Sequence, residues 1–171
     1  MPENIVKLHA MNQIDIRPIL AADNSHLAGI IRQILAEFGA NKPGTVFFDP
    51  TTDNLFQLFS KPGSTYYVLE VNGKIGGGSG VFPTPGLPAG CCELVKLYLL
   101  PELRGQGLGL MLMNKCFERA KDFGYKQIYL ETMPELRHAI GLYEKAGFNY
   151  LPGPLGSSGH FGCDLWMIKH L

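Results

Sequence analysis

Three glycines stand just ahead of a periodic apolar segment, in the stretch LYLLPELRGQGLGLMLMNKCFERA, where Arg104, Gly105, Gln106, Gly107, Leu108 and Gly109 follow one another. A helix start carries N–H groups without intrahelical partners and the positive end of the helix dipole. Glycines let a backbone fold around an anion and approach it closely. A strand, a glycine turn and a helix in this order therefore make a cradle for phosphate. Two familiar cradles are excluded. A P-loop needs Gly-Lys-Ser or Gly-Lys-Thr, and this chain has Gly109, Leu110 and Met111; a dinucleotide fingerprint needs a third glycine where Leu110 stands. The alternative is that the glycines only make a tight turn and let the helix pack on a sheet. The local pattern leaves both readings open.

The other reactive residue types point to less. Cys91, Cys92, Cys116 and Cys163 show neither CxxC nor Cys/His zinc spacing. Cys91 and Cys92, as neighbours in a strand, would point to opposite faces and make a poor disulfide. All four are expected to be reduced. A cysteine nucleophile would need a nearby base and an exposed thiolate, and neither is visible. No His/Cys/Asp cluster argues for a metal, so none is expected.

The elements that must position the glycine turn are legible from periodicity. QIDIRPIL alternates as a strand. DNSHLAGIIRQILAEFG reads as a helix with Leu27, Ile30, Ile31, Leu35 and Phe38 on one face, capped by Asp23 or Ser25 and ended by Gly39. A Gly/Pro loop and a short helix, NLFQLFS, follow. TYYVLEV, the turn NGK and IGGGSGVF make a hairpin whose glycine-rich second arm is a weak strand and suggests bulges or close backbone approach. CCELVKLYLL is a strand, residues 107 to about 122 a helix, KQIYLETM a strand, ELRHAIGLYEKAG a helix, FNYL a short strand and CDLWMIKH the last strand. The mixture is α/β or α+β, and the hairpin and strand-rich end break a plain βαβ alternation.

A chain of 171 residues fits one domain over 1–171 and can bury a real core. Residues 1–12 are expected to form a flexible N-terminal extension. Equal counts of 15 basic and 15 acidic residues leave no nucleic-acid footprint. No apolar run approaches the roughly 18 residues of a membrane span, and the first residues lack the pattern of a signal peptide. The expected setting is the cytoplasm, with no nucleic-acid or membrane partner; a homodimer is left open.

Arg104 to Gly109 match the Q/R-x-x-G-x-G/A signature, and here the chain resembles the GNAT acetyltransferase superfamily. ELVKLYLLPELRGQGLG is similar to that family's central strand and turn, and YLETMPELRHAIGLYEKAGF to its next strand and its A-x-x-L-Y-x-x-x-G-F helix. The likeness is strong over residues 93–148 and weaker over the front half. It implies a mixed, centrally splayed β-sheet flanked by helices, with acetyl-CoA in the splay and no metal. The pyrophosphate would lie on the backbone N–H groups of Gly105, Gln106, Gly107, Leu108, Gly109 and Leu110, beside Arg104. The main chain of Leu97, Tyr98 and Leu99 would pair with the pantetheine arm.

The same resemblance implies the catalytic groups. Tyr143 matches the family's thiolate-protonating tyrosine, although it shares a helical face with Leu136, Ala139 and Ile140 and could simply be core. Glu93 and Glu131 compete as the base, with water or an already deprotonated substrate as the alternative. Strand alternation groups Glu93 with Val95, Leu97 and Leu99, and Glu131 with Tyr129; a carboxyl on an apolar face is the more buried, which favours Glu93. Leu136 stands where many relatives carry a cofactor-contacting asparagine. His138 reads as a surface residue, and His160 sits in a Gly/Ser-rich loop. The expected activity is direct acetyl transfer, in a ternary complex, from acetyl-CoA to a small-molecule amine. The alternatives are a protein or peptide acceptor, or a non-catalytic acyl-CoA-binding module.

Overall fold

Period-two alternation and β-branched residues produce seven strands that join into one sheet, in the order β1-β2-β3-β4-β5-β7-β6. In this computed structural model, which describes residues 12–171, the strands are β1 (Ile14–Pro18), β2 (Thr65–Val71), β3 (Lys74–Phe82), β4 (Cys91–Leu99), β5 (Gln127–Thr132), β6 (Asn149–Leu151) and β7 (Leu165–His170). The helices are α1 (Asn24–Glu37), α2 (Leu55–Leu58), α3 (Leu108–Asp122) and α4 (Arg137–Lys145). The mixed sheet flanked by helices is the fold expected. Of the supposed N-terminal extension, residues 1–11 lie outside the described residues, and Asn12 hydrogen-bonds the Asn72 side chain at 3.0 Å. No helix among the described residues is long and apolar enough to cross a membrane.

Two apolar layers sandwich the sheet. Successive β2 residues point to opposite faces. Tyr66 and Val68 meet Leu27, Ile31 and Leu35 of α1, while Tyr67 and Leu69 meet Leu112, Met113 and Cys116 of α3. Each such buried aliphatic side chain contributes roughly 1.5–3 kcal/mol. Asp23 does not cap α1 through its side chain. Its carboxylate instead accepts from Arg17 at 2.8 and 3.0 Å and from the Leu20 N–H at 2.8 Å, because a buried acid with an arginine in reach gains more from the charged partner. Phe38, expected on the core face of α1, instead lies under the Arg104 guanidinium, 5.0 Å from ring centre to Cζ.

The glycine-rich arm is a full strand, and its glycines permit close approach. A Cβ on Gly77 would fall 2.0 Å from the Tyr98 carbonyl, and one on Gly78 would fall 2.5 Å from the Tyr66 ring and the Tyr67 carbonyl. The tight β3 seam lets β4 carry a bulge: three steps along β4, from Val95 to Tyr98, span the same rungs as two along β3, from Gly80 to Gly78. Lys96 takes the extra position with φ +53°, and the Tyr66 hydroxyl donates to its carbonyl at 2.9 Å. The bulge overturns the expected facing of β4. Val95 and Tyr98 lie on the α1 side, whereas Leu97 and Leu99 turn to the α3 side with Cys92 and Leu94. Glu93 therefore does not share a face with Leu97 and Leu99.

Among the described residues β4 and β5 are the only parallel neighbours, and they pair solely from Cys91 to Glu93 against Gln127 to Tyr129. Beyond that seam β4 runs on to Leu99 along β3 and β5 to Thr132 along β7, unpaired with each other. This is the central splay.

Candidate functional site

The glycine turn closes on the splay. Gly105 and Gly107 have φ of +72° and +79°, a conformation that suits glycine. A Cβ at either would meet no heavy atom within 4 Å, so the space beside them is open. The first helical bond of α3 runs from the Met111 N–H to the Gly107 carbonyl at 3.1 Å. The N–H groups of Leu108, Gly109 and Leu110 thus precede any intrahelical acceptor. Gly109 has a different purpose: a Cβ there would fall 2.8 Å from Leu142 of α4. The glycines divide by position. Two shape an open, donor-rich turn, and the third lets two helices pack.

A cleft of about 600 Å³ runs from this turn along β4. Of the expected cofactor-binding residues, Leu97, Tyr98, Leu99, Arg104, Gly105, Gly107, Gly109 and Leu110 line it. Gln106 and Leu108 do not: the Gln106 amide donates to the Glu102 carbonyl at 2.8 Å, and the Leu108 side chain is core. Arg104 is committed to Glu37 at 2.8 and 3.0 Å and to the Leu99 carbonyl at 3.1 Å, so it braces the turn against α1. Leu136, just before α4, and Ala139 and Leu142 within it form the opposite wall. The open ground at Gly105 and Gly107 and the unpaired N–H groups fit a phosphate-bearing ligand.

The cleft leads through Leu97, Tyr98 and Leu136 to a second cavity of about 50 Å³ inside the splay. Glu93, Glu131 and Tyr143 all line it. Tyr143 is 7% exposed and packs edge-on against Phe148. Burial pushes its phenol above the ordinary value, so the hydroxyl stays protonated at neutral pH. Its hydroxyl has no hydrogen-bond partner among the described residues.

The two glutamates differ in their partners. Glu131 accepts from the Tyr129 hydroxyl at 2.8 Å and from the Ser158 hydroxyl at 2.5 Å. Glu93 accepts from Thr84 alone and is 4% exposed. Burial raises its carboxyl to about 7; Thr84 opposes the rise and the neighbouring Glu131 charge adds to it. The Thr132 hydroxyl, buried in the same wall, has no partner among the described residues.

Several residues at this cavity escape a reading from sequence. Lys96 is 8% exposed, and the only hint is a second charge, after Glu93, inside the otherwise apolar β4. Asp49 accepts from the His160 imidazole at 2.8 Å, joining two loops remote in sequence. The Gly162 N–H to Gly44 carbonyl bond, 2.8 Å, ties the same loops. Burial works to raise the Asp49 carboxyl, but His160, Thr51 and the Lys96 charge outweigh it and hold the group well below the usual carboxylate range. His138 is on the cleft wall, 6.1 Å from the Phe38 ring. All four cysteines are free. Among the described residues no group of His, Cys, Asp or Glu is arranged to hold a metal.

Comparison with known proteins meets this geometry from outside. The model of the acetyltransferase (GNAT) family matches residues 20–148. A protein of Escherichia coli (strain K12), described as the uncharacterized N-acetyltransferase YjgM, is 42% identical over 158 residues, 91% of this chain and 94% of its own length. The crystal structure of a GNAT-family acetyltransferase from Staphylococcus aureus Mu50 superposes with a TM-score of 0.82 at 19% identity, covering 92% of this chain and 99% of that one. The PaiA N-acetyltransferase of Thermoplasma acidophilum, solved in complex with coenzyme A, gives 0.73 at 18% identity, covering 93% and 99%. With a family match across most of its length and a splayed sheet beside a glycine turn, the chain belongs to the GNAT family and is an acetyl-CoA-dependent N-acetyltransferase.

Proposed function

We propose that the protein transfers the acetyl group to the amine of a small molecule, directly, with both substrates bound at once. The observation that carries this is the pair of joined cavities. The open cleft is long and ends at the glycine turn; the inner one is small, bordered by Val46, His160 and Cys163 of two loops, and walled by Glu93 and Tyr143. A peptide acceptor calls for an open groove, and the Asp49–His160 bond that joins the two loops beside the inner cavity favours a small molecule instead.

Within this reading the backbone turn from Gly105 to Leu110 receives the pyrophosphate. The free edge of Leu97, Tyr98 and Leu99 receives the pantetheine arm as an added strand would. Glu93, whose carboxyl titrates near 7, accepts the proton of the attacking amine. Tyr143 donates to the departing sulfur. A phenol pushed upward gives its proton less readily, but an apolar wall raises thiolate basicity as well, so the two stay matched. Acetyl-CoA supplies the activated acyl group; no other cofactor enters. Reduced thiols suit the cytoplasmic setting expected of the chain.

The test is a screen of small amines, amino acids and short peptides for acetyl-CoA consumption. Turnover confined to small acceptors supports the proposal. Turnover only with peptides, or none with any acceptor, overturns it.

A further inference from the structure

The inner cavity holds one group that acetyl transfer does not use. Lys96 brings an ammonium into a wall where most lining is apolar or acidic, and burial works to lower its proton affinity. Its nearest acidic atom, Asp49 Oδ2, stands 3.7 Å away, beyond hydrogen-bond reach. That oxygen already accepts from His160 at 2.8 Å, and Asp49 Oδ1 accepts from the Thr51 hydroxyl at 2.6 Å and its N–H at 2.9 Å. Lys96 thus has Asp49 as a loose ion-pair partner, and none of its three donors makes a hydrogen bond of ordinary length among the described residues. The backbone is bent to bring it there: φ of +53° at a lysine costs about 1–2 kcal/mol and is held by the Tyr66 hydroxyl. Strain of this kind persists where the surroundings over-determine it and clusters at ligand sites.

We propose that Lys96 receives a carboxylate of the acceptor, so that the substrate is an amino-acid-like molecule carrying both an amine and a carboxylate; this rests on the acetyltransferase reading of the same site. The charges of the cavity are complementary to such a zwitterion. Glu93 and Glu131 face an amine, and Lys96 faces an anion a few bonds away. A polyamine would bring a second cation against Lys96, and like charges in a dry cavity repel strongly. A simple monoamine would leave the ammonium with only the long ion pair to Asp49 among the described residues.

The experiment pairs each common proteinogenic amino acid with its own carboxamide, which keeps the amine and removes the charge. Acetyl-CoA consumption is followed for the wild type, Lys96→Met and Lys96→Arg. The wild type should prefer an amino acid over its carboxamide. Lys96→Met should raise KM for the amino acid about ten- to a hundredfold, the usual scale for a lost charge-assisted bond. Because the Lys96 charge also holds the Glu93 carboxyl down, the comparison is made at about pH 9, where Glu93 is ionised; there the carboxamide should be little changed, and Lys96→Arg should restore part of the loss. Wild-type preference below about twofold overturns the proposal whatever the variants do. Equal losses for acid and carboxamide in Lys96→Met also overturn it, and make Lys96 a structural partner of Asp49. If no acceptor is turned over, the acetyl-transfer reading fails separately. Calorimetry of the CoA-bound protein with the same pairs then decides: heat from the acids alone, lost in Lys96→Met, upholds the carboxylate site, and no heat from any acid overturns it.

Discussion

At the residue scale the decisive contrast is between two glutamates that share a cavity. Glu131 is engaged by Tyr129 and Ser158, while Glu93 keeps lone pairs free and is raised to about 7 by burial. The sign of the pH dependence follows. Below about 7 Glu93 is protonated and cannot accept, so wild-type kcat/KM should rise with pH through an acidic limb near 7 and then level. Glu93→Gln should lose that plateau and climb instead toward the pKa of the free amine, with the gap to wild type widest near and below neutrality and closing at high pH. Glu131→Gln removes a neighbouring negative charge and should move the limb to lower pH. A Glu93→Gln profile that overlays wild type shows that solvent is the base. Tyr143 is tested by Tyr143→Phe, which keeps the packing on Phe148 and deletes the hydroxyl. General acid catalysis contributes about 10²–10⁴-fold, so kcat should fall by that order with CoA affinity little changed in calorimetry. Activity within about twofold of wild type would leave Tyr143 as a core residue.

At the scale of elements, the turn before α3 and the bulge in β4 decide what reaches the cavity. Gly107→Glu places a side chain in open space at φ +79°, at a cost of about 1–2 kcal/mol, and sets a carboxylate where phosphate is expected. Calorimetry should show CoA affinity lost while circular dichroism shows the fold retained; unchanged affinity would overturn the phosphate cradle. The turn, both long helices and the strands were legible in the sequence, because glycine spacing and apolar periodicity are local signals. The facing of β4 was not. Strict alternation joins Glu93 to Leu97 and Leu99, and the extra residue at Lys96 divides them. A bulge is a compromise between two strands, and its cause here, the close contacts of Gly77 and Gly78 with Tyr98 and Tyr66, lies on the neighbouring strand. The Asp23 carboxylate was lost to local reasoning for a related reason: its partner, Arg17, enters from β1.

At the scale of the molecule, the site is assembled from parts far apart in the chain. Arg104 fastens the glycine turn to Glu37 of α1, and Asp49 and His160 join loops more than a hundred positions apart. Pairings of that range leave no trace in composition or periodicity, which is why the acceptor side was the least legible region. The sheet has a matching weakness at its centre, where β4 and β5 share pairing only from Cys91 to Glu93 against Gln127 to Tyr129. A molecule laid against the free edge of β4 completes a wall the polypeptide leaves unfinished. Ligand at about a hundred times its dissociation constant adds about 2.7 kcal/mol to folding stability. Differences of that size alter how long a protein survives proteolysis in a cell. Acetyl-CoA laid along the narrow seam should therefore slow cleavage of the chain by added protease, and limited proteolysis with and without the donor checks it.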